Sequence, residues 1–208
     1  MLFNINTTCS LKIKAINLPG INEKDSITDT SSFGLRQQIK VIGLYKPNEK
    51  DPEKSYIIFY NEDEKELLKT FWNFINDPEN NIYALTTWAG KSYDFPMLYQ
   101  RTIINKVPIT NMHFPLISEL NYNNEKLIDA ANFWKCGGSK IDSLFNVANA
   151  LGFFKSIDEI NTFKLMAENY KSFYPLFIAE VSNKKEGIAT KFLKDQLKFV
   201  YNITDYLI

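Results

Sequence analysis

Cysteine and histidine are almost missing from this chain. Two cysteines, Cys9 and Cys136, and one histidine, His113, occur among 208 residues. Two cysteines exclude a disulfide framework, and both are expected to be inert core thiols in a cytoplasmic protein. One histidine without a matched serine or cysteine argues against a hydrolytic triad. With the cysteines far apart in sequence, it also leaves no zinc ligand set. Net charge is missing too: 24 basic residues face 24 acidic ones. No overall basic field therefore draws the protein to nucleic acid or an anionic membrane, and such a partner needs a local patch. No apolar run reaches the length of a membrane span. The opening residues lack the basic and apolar regions of a secretory leader. Neither a G-x-x-x-x-G-K-[ST] loop nor a G-x-G-x-x-G fingerprint occurs.

Core material is abundant. Hydrophobic residues make up 45% of the chain and aromatics 14%, with 16 Phe and 11 Tyr. That length and composition predict one domain over residues 1–208. Leu2–Thr7 alternates and predicts a short first strand, and Lys12–Gln38 has no clean period and reads as a long excursion. Ile39–Tyr45 and Ser55–Tyr60 predict a hairpin. Glu64–Ile75 is an amphipathic helix with Leu67, Leu68, Phe71, Trp72 and Ile75 inward. Asn81–Trp88 reads as a buried strand, followed by the loop AGKSYDFP and a helix entered at Pro96. Lys126–Trp134 predicts another strand, and helices are expected over Ile141–Leu151, Asp158–Ala167 and Gly187–Tyr206. Trp72, Trp88 and Trp134 belong to apolar segments and are expected in the core. This order predicts an α/β fold, a mixed sheet flanked by helices.

Three segments carry a resemblance. The loop W-A-G-K-S-Y-D-F-P-M-L-Y-Q-R holds Asp94 and Arg101; the last helix holds Y-N-I-T-D, with Tyr201 and Asp205; and the opening reads F-N-I-N-T-T. In this order they resemble the motifs of the DEDD 3′–5′ exonucleases of the tyrosine subtype, in the branch similar to the proofreading domain of family-B DNA polymerases. Those motifs read roughly F-D-I-E-T, N-G-x-x-F-D-x-P and Y-x-x-x-D. The resemblance covers nearly the whole chain and implies a ribonuclease-H-like fold. It implies hydrolysis of a terminal phosphodiester with two divalent ions, Mg²⁺ or Mn²⁺, which lie roughly 3.5–4 Å apart in such sites. It also implies a single-stranded DNA or RNA 3′ end as partner, metal ligation by Asp94 and Asp205, and a water-orienting role for Tyr201.

The first motif departs from the family, with Asn4 and Asn6 standing where it has Asp and Glu. An amide offers an oxygen dipole but no charge, and Mg²⁺ prefers hard anionic oxygen. The expectation is nucleic-acid binding with hydrolysis weakened or lost. Two alternatives stand beside it: an active nuclease that recruits Asp129, Asp25 or Asp29, and a scaffold of the same fold that binds a protein.

Contacts to a strand are expected from two places. At ~100° per residue, Lys191, Lys194, Lys198, Tyr201 and Asp205 fall within about 80° of arc on one helix. Phosphates could track such ammonium groups, and a solvated helix face is the plainer cause of the same pattern. In the loop, Lys91 and Arg101 supply charge, and Tyr93 and Phe95 are rings able to stack on a base.

Overall fold

The computed structural model describes residues 4–19, 33–109 and 126–207. Asp25, Asp29 and His113 lie outside them. Five strands form one sheet: β1 (Thr8–Asn17), β2 (Gln37–Tyr45), β3 (Tyr56–Tyr60), β4 (Ala84–Thr87) and β5 (Leu127–Asp129). Their spatial order is β3-β2-β1-β4-β5. The hairpins β1–β2 and β2–β3 are antiparallel, and β4 and β5 add in parallel to β1. The helices are α1 (Phe33–Arg36), α2 (Glu64–Asn76), α3 (Asp94–Ile104), α4 (Ala130–Trp134), α5 (Leu144–Ala150), α6 (Ile157–Glu168), α7 (Phe173–Ser182) and α8 (Ile188–Leu207). This is the mixed sheet with flanking helices that the element order predicts. None of the helices is long and apolar enough to cross a membrane, among the described residues.

The sheet is covered on both faces, which is why β2 is buried along most of its length. On one face Leu11, Ile13, Ile39 and Leu44 pack with Leu67, Leu68, Phe71 and Ile75 of α2 and Leu98 of α3. On the other, Val41 meets Phe192, Leu193 and Leu197 of α8, and Phe163 and Phe177 extend that core. Gly43 permits this approach: a Cβ there would stand 2.8 Å from a Leu197 methyl. The inward residues expected for α2 are all buried.

The start of the chain differs from expectation. Ile5–Thr7 is a short 3-10 turn, and the first strand runs from Thr8 to Asn17, into the first residues of the segment expected as an excursion. The cause is local. The Asn4 side chain accepts from the Asn6 N–H, and the Asn4 carbonyl accepts from the Thr7 and Thr8 hydroxyls, bonds that compete with a strand ladder. Leu127–Asp129 is a strand, but Asp129 then caps α4 by accepting from the Ala131 N–H, which ends the expected longer strand. Cys9 is buried, and burial pushes its thiol up to about 12. Cys136, expected in the core, is exposed in a left-handed turn before Gly137. Of the three tryptophans, Trp72 and Trp88 are buried and Trp134 is half-buried.

Candidate functional site

The site begins where β4 stops. The β1–β4 ladder ends at the pair Ser10–Thr86, so among the described residues the second half of β1 has no strand beside it on that edge. The carboxylate of Asp94 takes over there and accepts from the Ile13 N–H at 3.1 Å. Its oxygens also accept from Lys12 Nζ, at 3.1 and 2.9 Å. Asp94 is fully buried, whereas the Lys12 side chain is 20% exposed. An unpaired buried carboxylate is costly, and the ammonium offsets that cost here.

Asp94 reaches this place because the loop before it is tied down. The Asp129 carboxylate accepts from the Ala89 and Lys91 N–H groups as well as from Ala131. Burial raises its pKa, and those three bonds pull the other way. The Gly90 carbonyl accepts from the Tyr93 and Phe95 N–H groups. A Cβ at Gly90 would run into the Thr87 side chain, so only glycine fits. Asp94 is then the first residue of α3.

Lys14 shares the Lys12 face of β1, two residues on. Its Nζ donates to Gln196 Oε1 at 2.8 Å and lies 4.8 Å from the ring centroids of both Phe173 and Phe192. Burial pulls its pKa down to about 7; Lys12 repels in the same direction, and Asp94 acts against both. Lys12 also lies 5.8 Å from the Tyr93 ring, whose hydroxyl donates to Gln37. Lys12, Lys14, Asp94 and Gln196 are thus the polar groups that the fold gathers beside β1.

The expected quartet of Asn4, Asn6, Asp94 and Asp205 is not gathered. Asn4 and Asn6 are exposed in the turn before β1. Tyr201 does meet that turn, donating its hydroxyl to the Ile5 carbonyl at 3.2 Å; burial pushes its pKa up to about 12. Asp205 is exposed one helical turn further on. Asp94 meets β1 at Lys12 and Ile13, and the strand rises roughly 16 Å between Thr8 and Ile13. Tyr201 and the asparagines therefore sit at the start of β1, whereas Asp94 meets the middle of that strand, because α8 runs back along the sheet: Leu197 bonds with Ser10, and Gln196 with Lys14.

The expected strand contacts are redistributed as well. Phe95 is 4% exposed and belongs to the core. Arg101 is 7% exposed; its guanidinium grips Glu64 with two nitrogens and donates to the Gly34 carbonyl. Neither presents a surface to a base or phosphate. Lys191 pairs with Glu159 at 3.6 Å, and Lys194 with Glu186 at 3.2 Å and Glu53 at 3.7 Å. Lys198 is exposed near Asp195. The stripe is a mixed-charge helix face rather than a basic track. Lys91 is half-buried with its N–H on Asp129, and Tyr93 remains half-buried at the site. We expect Arg101→Ala to cost about 3–5 kcal/mol of stability by stranding Glu64. Chemical denaturation would show this as a lower midpoint.

The donor set does not fit a divalent ion. Asp94 is the one carboxylate in the group, whose other members are two ammonium groups and a side-chain amide. Among the described residues no cluster of three or more His, Cys, Asp or Glu is placed to hold a metal. Lys12, Lys14 and Gln196 escaped the sequence reading, yet S-L-K-I-K-A alternates with period two, and Phe192 and Gln196 keep four-residue spacing on a helix.

Residues 28–200 match a family model described as the RNase H superfamily. No curated protein matches the chain. Among solved structures, the family B DNA polymerase from the hyperthermophilic archaeon Pyrobaculum calidifontis superposes with a TM-score of 0.60 at 14% identity. The likeness covers 96% of this chain and 24% of the polymerase, so this chain spans about a quarter of that protein's length. At that identity the likeness is one of fold.

Proposed function

The chain belongs to the RNase H superfamily, and from that premise we propose that it is a 3′–5′ exonuclease-like domain that binds single-stranded nucleic-acid 3′ ends and has lost two-metal hydrolysis. The observation that carries this reading is the ammonium of Lys12 on both oxygens of the buried Asp94. The second motif stays on the Asp94 loop. The first is better placed on L-K-I-K-A (Leu11–Ala15) than on F-N-I-N-T, which puts Lys12 and Lys14 at its acidic positions. The third is better placed on F-L-K-D-Q (Phe192–Gln196), with Phe192 for the tyrosine and Gln196 for the acid. Three of four acids are then gone, and two have become cations. A divalent ion ~4 Å from such a residue would meet repulsion in place of attraction. At an effective dielectric of ~20 that swing is on the order of 10 kcal/mol per site. No hydrolytic step is assigned to this chain.

The test is incubation with labelled single-stranded DNA or RNA in Mg²⁺ or Mn²⁺, read on native and denaturing gels. The expected outcome is retarded migration with full-length strand. Ladder-like shortening from the 3′ end would refute the loss of hydrolysis. A strand neither retarded nor shortened would favour a protein-binding scaffold.

A further inference from the structure

We propose that Lys12 and Lys14 form a phosphate-binding site that works without a divalent ion. The inference rests on the nucleic-acid-binding reading above and names the chemistry of contact. The two ammonium groups sit on one face of one strand, and Asp94 is the one carboxylate among them. With both amines protonated the group carries one net positive charge, so it receives an anion as it stands.

The geometry leaves donors for that anion. An ammonium has three N–H groups. Lys12 holds both oxygens of Asp94, which keeps the side chain in one pose and leaves it at least one N–H, and its side chain is 20% exposed. Lys14 directs one at Gln196, and the faces of Phe173 and Phe192 hold the cation from two sides. Two cations held on one strand suit a group with several anionic oxygens better than a single carboxylate. Tyr93, 5.8 Å from Lys12, supplies a ring beside the same point, where a nucleobase attached to that phosphate could stack. The ligand class is therefore a phosphate, from the backbone of a single strand or free in solution.

The experiment is a fluorescence-anisotropy titration of a short single-stranded oligonucleotide at mildly acidic pH, run in EDTA and again in Mg²⁺. It uses the wild type, Lys12→Gln with Lys14→Gln, and Lys12→Arg. Glutamine can still donate to Asp94, so the double variant keeps that carboxylate partnered, and circular dichroism checks its fold. Wild type is expected to bind in EDTA, with no gain on adding Mg²⁺. The double variant is expected to bind at least about tenfold more weakly, and its slope of log affinity against log salt to flatten by roughly 0.7 for each ammonium lost. Lys12→Arg keeps the charge and is expected to keep binding. Thermal stabilisation of the wild type by inorganic phosphate, absent in the double variant, would mark the free ion as a ligand of the same site. Strand binding that needs Mg²⁺, or that the double variant retains in full, overturns the phosphate site and leaves the nucleic-acid reading standing. A folded wild type that binds neither strand nor phosphate overturns both.

Discussion

Exchanging Lys12→Asp, Lys14→Glu and Gln196→Asp together should create metal-dependent stability where the wild type has none. The variant puts carboxylates at the two positions whose side chains now meet each other, 14 and 196, and at position 12, whose side chain now meets Asp94. Without metal those charges repel in a half-buried place and the fold weakens. With Mn²⁺ they are neutralised, and the gain follows the ligand's excess over its dissociation constant, about 2.7 kcal/mol at a hundredfold excess. For a chain of this size that is a rise of roughly 5–10 °C in thermal midpoint on adding Mn²⁺. The wild type should not shift. Stability is the cleaner readout, because under the proposed placement Phe192 stands at the tyrosine position and has no hydroxyl. The companion variant Asn4→Asp with Asn6→Glu decides between the two placements of the first motif. Both residues are exposed in the turn before β1, away from the Asp94 contact at Lys12 and Ile13, so no metal-dependent shift is expected from it. A shift in this companion and none in the triple variant would move the site to the opening turn.

Much of the fold could be read from periodicity, and the site less so. Leu67, Leu68, Phe71, Trp72 and Ile75 announce α2 because one helical stripe must be buried. The strands around Ile39–Tyr45 and Ser55–Tyr60 are likewise plain in their β-branched and aromatic runs. The Asp94 loop was legible because a glycine and an Asp–x–Pro turn into a helix leave few conformations. The first strand was not. FNINTT and SLKIKA both alternate, and they differ in bonds that sequence does not display: the Asn4 carbonyl and two threonine hydroxyls close a turn. Under the placement proposed above, the first motif falls on a strand that carries lysines, so no acidic pattern marks it. The ion pairs of Arg101, Lys191 and Lys194 are hidden from the sequence for a related reason. Their partners Glu64, Glu159, Glu186 and Glu53 lie elsewhere in the chain, and only packing brings them into reach.

Lys14→Met should stabilise the protein in acid and lose that advantage in base. Burial holds the Lys14 ammonium down at about 7, against an ordinary 10.5. Below pH 7 the amine is charged in both folded and unfolded chains, and the folded state bears the full cost of its desolvation. Between about 7 and 10.5 the unfolded chain binds the extra proton, so stability rises with pH through that window. The span corresponds to at most ~5 kcal/mol, and to roughly 2–4 kcal/mol once the water reaching a half-buried side chain is allowed for. Methionine fills a similar volume against Phe173 and Phe192 with no charge to desolvate. The variant should therefore unfold several degrees above wild type at pH ~6. By pH ~10 the two should converge, or reverse slightly as Gln196 loses its donor. The difference between the two curves removes groups common to both, such as Asp195, which burial raises to about 6. A constant offset at both pH values would mean that packing alone separates the two proteins. If the offset does change with pH, and the same variant binds single strands more weakly, then the folded chain tolerates a destabilising cation because that cation holds a phosphate.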